Sequence, residues 1–195
     1  MTLLLSMAAF ALVSSITPGP VNLVALSSGA RYGLRATLAH ITGATVGFTL
    51  LLVIIGLGLY EVLIRWPLLT TALRVGGVVY LLYLAWLLAR DTGQLQADDT
   101  ASQPSLLGGA AMQWLNPKAW LASVAGMGAF AADGNSTTVV HFALIYLVVC
   151  YASIACWAAA GASLQRHLDK PAGVRLFNRV MALLLVLCAA GLGLE

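Results

Sequence analysis

Ser14-Ser15-Ile16-Thr17-Pro18-Gly19-Pro20-Val21-Asn22 stands about halfway along an otherwise apolar run from Leu3 to Leu26, and its reading decides the fold. Proline has no N–H and its ring clashes with the preceding turn. Pro18 therefore removes the helical hydrogen bond to the Ser14 carbonyl, and Pro20 removes the one to Ile16. Gly19 between them admits conformations closed to other residues. In hydrocarbon, freed carbonyls must be met by protein, by ligand or by water in a cavity. Ser14, Ser15, Thr17 and Asn22 cluster around this break. The device recurs at Gln113-Trp114-Leu115-Asn116-Pro117-Lys118, where Pro117 frees the Gln113 carbonyl and two side-chain amides flank it. Lys118 adds a charge roughly 18 Å from either end of its apolar run. A lysine that deep costs about 2.5 kcal/mol or more and needs a partner or a role.

The rest of the chain sets these breaks in a membrane. Its 195 residues are 61% hydrophobic and 9% charged, with a mean hydropathy of +0.92, against about 25% charged in soluble domains. Such a composition excludes an ordinary soluble enzyme and a disordered tail. A net charge of +3 is too small for the footprint of a nucleic-acid binder. Six apolar stretches are long enough to cross a bilayer: about Leu3–Leu26, Ala36–Leu59, Leu68–Ala89, Leu106–Phe130, Val139–Gly161 and Leu176–Leu194. The expected fold is an all-α membrane protein of one domain, 1–195. Its six transmembrane helices form two inverted three-helix halves, about 1–89 and 106–195, and proline breaks the first helix of each. A polar linker, Arg90 to Ser105, joins the halves and carries Asp91, Gly93, Asp98, Asp99 and Pro104. The first run has no basic residue before it and no small-x-small cleavage site after it, so it is expected to be retained rather than cleaved as a signal peptide.

Basic residues set the expected orientation. Arg31, Arg35, Arg90, Arg166, Lys170, Arg175 and Arg179 fall on one side and Arg65 and Arg74 on the other, which puts the first set in the cytoplasm and both termini outside. Tyr60 and Trp66, and Tyr83 and Trp86, fall where interfacial aromatics belong. Glu61 and Asp133 read as solvated loop residues.

Matching interrupted helices in inverted halves point to a transporter's binding site. N-terminal helix ends offer N–H groups to a carboxylate and C-terminal ends offer carbonyls to an ammonium, which together suit a zwitterionic amino acid. The candidate substrate-binding residues are Ser14, Thr17, Pro18, Gly19, Pro20, Asn22, Gln113, Asn116, Pro117 and Lys118. The plain alternative is that the prolines only kink two helices for packing. Lys118, His40 and His141 are candidates for proton coupling, although interfacial or satisfied histidines are the commoner case. Gly43 and Gly47 form a Gly-x-x-x-Gly pair, with Gly76 and Gly77 in the next span; this reads as close helix packing and as a place where two copies could form a homodimer. Cys150, Cys156 and Cys188 read as small apolar side chains, with no disulfide within one helix. No catalytic residue, metal site or cofactor is expected: the spans lack acidic residues at helical spacing and a nucleophile–base constellation. The alternatives to a transporter of small neutral amino acids are a membrane scaffold without transport and a transporter of another cargo, such as a divalent metal ion.

The motifs also have a family likeness. Thr17-Pro18-Gly19-Pro20, Ala25-Leu26-Ser27-Ser28 and Gly33-Leu34-Arg35 resemble the opening of the LysE/RhtB family of bacterial amino-acid exporters. So do Gly77-x-x-Tyr80-Leu81-x-Tyr83-Leu84-Ala85-Trp86 and Leu115-Asn116-Pro117-Lys118-Ala119. Cys156-Trp157 before Gly161, and Ala182-Leu183-Leu184-Leu185, are most similar to the subgroup that exports cysteine and O-acetylserine. The resemblance implies a secondary exporter in the bacterial inner membrane, driven by proton antiport. The chain departs from the family pattern at Val21, where a polar residue is usual, and at Gly126-Met127-Gly128-Ala129-Phe130, where many members carry Pro-Gln-Phe.

Overall fold

The computed structural model describes residues 2–59, 67–90, 104–131, 135–165 and 171–193. The linker acids Asp91, Asp98 and Asp99, with Gly93, lie outside the described residues. So do the loop residues Tyr60, Glu61, Arg65, Trp66, Asp133, Arg166 and Lys170, and both chain ends. Seven α-helices and no strand are found among the described residues: α1 Thr2–Ile16, α2 Pro20–Ile54, α3 Pro67–Arg90, α4 Leu106–Trp114, α5 Pro117–Phe130, α6 Ser136–Gln165 and α7 Pro171–Gly193. A π-helical turn, Ile55–Leu59, extends α2.

The helix limits follow from local chemistry. Pro20 and Pro117 each take the first helical position, where a missing N–H costs nothing. Ser105 caps α4 by accepting from the Gly108 N–H at 3.0 Å, and Asn116 caps α5 by accepting from the Lys118 N–H at 3.2 Å.

α2 is longer than the sequence reading allowed, and it is folded back on itself. Gly33 adopts φ 80, ψ 165, a region that only glycine enters without strain. The span up to Gly33 runs in the same direction as α6: Phe10 meets Phe142, Trp157 donates to the Ile16 carbonyl, and a Cβ on Gly161 would strike the Leu26 carbonyl. Beyond Gly33 the direction is opposite. Phe48 stacks on Tyr146 at 4.4 Å, and Gly56 lies against Val139. Residues 27–35, expected as a loop carrying Arg31 and Arg35, are therefore helical, and the reversal is condensed into one glycine.

The Gly43/Gly47 pair also has a different partner from the neighbouring span. A Cβ on Gly43 would lie 1.9 Å from the Leu106 carbonyl oxygen, and one on Gly109 would lie 2.2 Å from that of His40. Gly43, Gly47 and Gly109 thus let α2 and α4 touch backbone to backbone, while Gly76 of α3 meets only Leu115 at 3.8 Å. Four other helices, α1, α4, α5 and α6, form the main core with α2: Met7 and Ala11, Met112, Ala119 and Met127, and Phe142 and Tyr146 pack on Phe48, Leu51 and Leu52. A second cluster joins α3 to α7 through Leu81, Ala85, Met181 and Leu185, with Leu23 of α2. Outside these cores Leu5, Leu57, Leu68, Leu107, Leu121, Leu144 and Leu176 are each more than half exposed. A surface apolar on every element is one solvated by lipid.

Candidate functional site

The two breaks meet. Ile16 ends α1 and Pro20 begins α2, while Trp114 ends α4 and Pro117 begins α5. Lys118 reaches from the second break to the first. Its Nζ donates to the Thr17 carbonyl at 2.7 Å, to Thr17 Oγ1 at 3.2 Å and to the Pro18 carbonyl at 3.4 Å. Gly19 lies against the lysine stem: a Cβ there would sit 3.1 Å from Lys118 Cδ, closer than an ordinary contact.

The other carbonyls freed at the first break are also met by side chains. Asn22 Nδ2 donates to Ser15 O at 2.8 Å and to Thr17 O at 2.9 Å. Trp157 of α6 donates from Nε1 to Ile16 O at 3.0 Å. Thr17 Oγ1 donates to Val13 O and, at 3.4 Å, to Ser14 O. The second break is satisfied nearer home. The Asn116 N–H donates to Gln113 O at 3.2 Å, Trp120 Nε1 donates to Trp114 O at 2.8 Å, and Asn116 Nδ2 donates to Gln113 Oε1 at 3.3 Å. Trp114 in turn donates to the Gly47 carbonyl of α2 at 3.1 Å.

Between the breaks lies a cavity of about 40 Å³. At about 10–15 Å³ per water position, it has room for a few waters. Of the residues singled out from sequence, Ser14, Gly19, Asn22, Gln113, Asn116 and Lys118 line it. Thr17 and Pro18 take part through their bonds to Lys118, and Pro20 and Pro117 set the helix starts behind it. His40 is buried in the wall of a different cavity, and His141 is exposed on α6.

Sequence reasoning placed Ser15 at the break without counting it among the binding residues, and missed Phe48, Tyr146 and Cys150; all four line the same cavity. Ser15 Oγ is buried without a hydrogen-bond partner. Tyr146, Cys150 and Ile154 recur at four-residue spacing, which puts them on one face of α6. That spacing was a signal in the sequence, but it is indistinguishable there from ordinary core packing. The N-termini of α2 and α5 carry partial positive charge toward this space, and the C-termini of α1 and α4 carry partial negative charge. The arrangement can therefore hold a small group with charges of both signs.

Comparison with known proteins adds an independent line. The LysE type translocator family matches residues 12–195. The chain is 30% identical over 191 residues to the cysteine/O-acetylserine efflux protein of Escherichia coli strain K12, covering 96% of each chain. It is equally similar to the proteins of that name from Shigella sonnei and from Escherichia coli O139:H28. No solved structure matches.

Proposed function

The chain belongs to the LysE type translocator family, and from that premise we propose that it exports a small neutral amino acid or derivative, of the size of cysteine or O-acetylserine, from a bacterial cytoplasm. In this reading it is a multi-pass secondary transporter of the inner membrane, not an enzyme. Its six spans form two inverted halves, with both termini outside, and export is coupled to proton antiport.

The observation that carries the reading is the bridge from Lys118 to the Thr17 and Pro18 carbonyls. It joins the two broken helices at one polar point of an otherwise apolar protein. Carbonyls and a hydroxyl that hold a lysine ammonium are also the groups that would hold a substrate's α-ammonium. Lys118 and the arriving amino acid compete for them, and the displaced lysine is then free to take the substrate carboxylate. The N-terminal N–H groups of α2 and α5 supply further donors for that carboxylate. Asn22, Gln113 and Asn116 orient the backbone of the substrate, while Phe48, Tyr146 and Cys150 bound its side chain. All seven acidic residues of the chain lie outside the described helices, which favours a neutral cargo over a dibasic one. Lys118 is the first candidate for the proton step, with His40 and His141 behind it.

Counterflow of radiolabelled amino acids in proteoliposomes tests this. Vesicles are preloaded in turn with cysteine, O-acetylserine, threonine, leucine or lysine. Exchange of a small neutral amino acid that is lost in Lys118→Met supports the reading. Normal exchange and pH dependence in that variant would remove Lys118 from the mechanism, and exchange of lysine would overturn the cargo class.

A further inference from the structure

A side-chain amide has donors at one end and an acceptor at the other, and its neighbours decide which end a ligand meets. At the second break that decision starts from the backbone. The Lys118 N–H can only donate, and it is met by Asn116 Oδ1 at 3.2 Å. Asn116 Nδ2 is thereby turned to Gln113 and donates to its Oε1 at 3.3 Å. With its oxygen so engaged, Gln113 has Nε2 left over. At the first break the Ser15 and Thr17 carbonyls can only accept. Both take Asn22 Nδ2, at 2.8 and 2.9 Å, and Asn22 has Oδ1 left over.

The two remaining atoms belong to one space. Asn22 and Gln113 line the cavity between the breaks, and each residue is no more than 5% exposed. Among the described residues neither Asn22 Oδ1 nor Gln113 Nε2 makes a hydrogen bond. Neither belongs to the polar atoms that are sealed in without a partner, as Ser15 Oγ is. Both are therefore open to the cavity, a fixed acceptor from the first break and a fixed donor from the second. Neither amide turns over freely. Rotation of Gln113 would set Nε2 against Asn116 Nδ2, donor against donor, and rotation of Asn22 would set Oδ1 against two carbonyl oxygens. A carboxylate only accepts and an ammonium only donates, so a zwitterion satisfies this pair in one direction alone.

We propose that Gln113 selects for a free α-carboxylate: Nε2 donates to it while Asn22 Oδ1 accepts from the α-ammonium, and Asn116 is a positioning residue that acts through Gln113 by fixing which end of its amide is presented. That the ligand is an amino acid rests on the export reading; the polarity of the two amides rests on the hydrogen bonds alone.

The test uses the full chain in phosphatidylcholine nanodiscs, dialysed to equilibrium against radiolabelled L-cysteine kept reduced, L-threonine or L-leucine, and against the carboxamide of each. A carboxamide keeps the α-ammonium and the side chain but replaces the carboxylate by a neutral group that carries N–H donors. Counterflow of the free amino acids is measured in proteoliposomes of the same preparations. The wild type binds the amino acid more tightly than its carboxamide. Gln113→Met lowers the affinity for the amino acid about tenfold, the loss of one charge-assisted hydrogen bond, and that for the carboxamide by less. Gln113→Glu sets a carboxylate against the substrate's own and inverts the preference. The carboxamide that it binds certifies that this variant is folded. Asn116→Ser keeps a cap acceptor for the Lys118 N–H but lets Gln113 present either end. It lowers the affinity for the amino acid by less than Gln113→Met does, and added to Gln113→Met it lowers it no further.

Equal losses for both ligands in Gln113→Met would make Gln113 a packing residue, and an unchanged preference in Gln113→Glu would remove it from the carboxylate. Either result overturns the assignment. Should Gln113→Glu bind neither ligand, Gln113→Met decides. A further fall in the double variant gives Asn116 a contact of its own and overturns its positioning role. Normal wild-type counterflow beside any of these results leaves the export reading standing. A wild type that neither binds nor exchanges any of the amino acids removes the export reading and the assignment with it.

Discussion

The two helix breaks are made by the same residue type, yet only the first draws donors from remote helices as well as from its own neighbours. At residues 115–116 the freed groups are met within a few positions, by the Asn116 N–H, the Asn116 side chain and Trp120. At residues 17–19 the donors come from as far as 101 and 141 residues along the chain, from Lys118 and Trp157. The second break is thus a self-contained cap that presents a lysine. The first is a wider set of carbonyls that Asn22 closes together with two remote elements. In a membrane, where water does not compete for freed carbonyls, the export reading has this first set exchange a protein donor for a ligand.

The largest effect on that contrast is expected from Lys118→Met. It strips the first break of its charged donor, and at up to ~3 kcal/mol for charge-assisted bonds this predicts a loss of counterflow of about 100-fold. Next comes Gly109→Ala. The added Cβ would meet the His40 carbonyl oxygen at 2.2 Å, and neither backbone can yield easily. Destabilisation of about 3 kcal/mol is expected, read as a fall in apparent Tm in detergent.

The paired variants Asn22→Ala and Asn116→Ala probe the contrast itself. Removing Asn22 leaves the Ser15 and Thr17 carbonyls short of a donor, for about 2 kcal/mol. Removing Asn116 loses one cap, for about 1 kcal/mol. A larger fall in Tm for Asn116→Ala would show that the second break is the more dependent one and reverse the comparison. Trp157→Phe keeps the ring and removes only the bond to Ile16 O, so about 1 kcal/mol is expected, with counterflow affected less than in Lys118→Met. The smallest effect is expected at Gly128, where a Cβ meets nothing within 4 Å. Gly128→Ala should leave Tm unchanged or raise it, by up to ~1 kcal/mol of helix propensity. A loss there would mean that this surface is covered in the membrane.

Much of the candidate site was legible before any coordinates. Pro18, Pro20 and Pro117 announce the breaks because a missing N–H is a property of one residue. Lys118 stands out because a charge in an apolar run needs compensation. Tyr146 and Cys150 did not stand out, since a residue facing a cavity and one facing a core leave the same four-residue spacing. His40 reads as one candidate for proton coupling, with Lys118 and His141; only the fold shows that it lines a second cavity, with Ser27 and Met112.

The sequence by itself determined the membrane environment, through composition, and the points where helices stop, through proline. These are local consequences: each follows from one side chain and its immediate hydrogen bonds. Only the tertiary structure decided that Lys118 and Trp157 close the first break, that Gly43 and Gly47 pack on α4 rather than α3, and that one glycine, Gly33, folds α2 back along α6. An unmet carbonyl or a missing Cβ says that something must approach. Which element does so depends on the distances that the whole bundle sets, and no short stretch of chain encodes them.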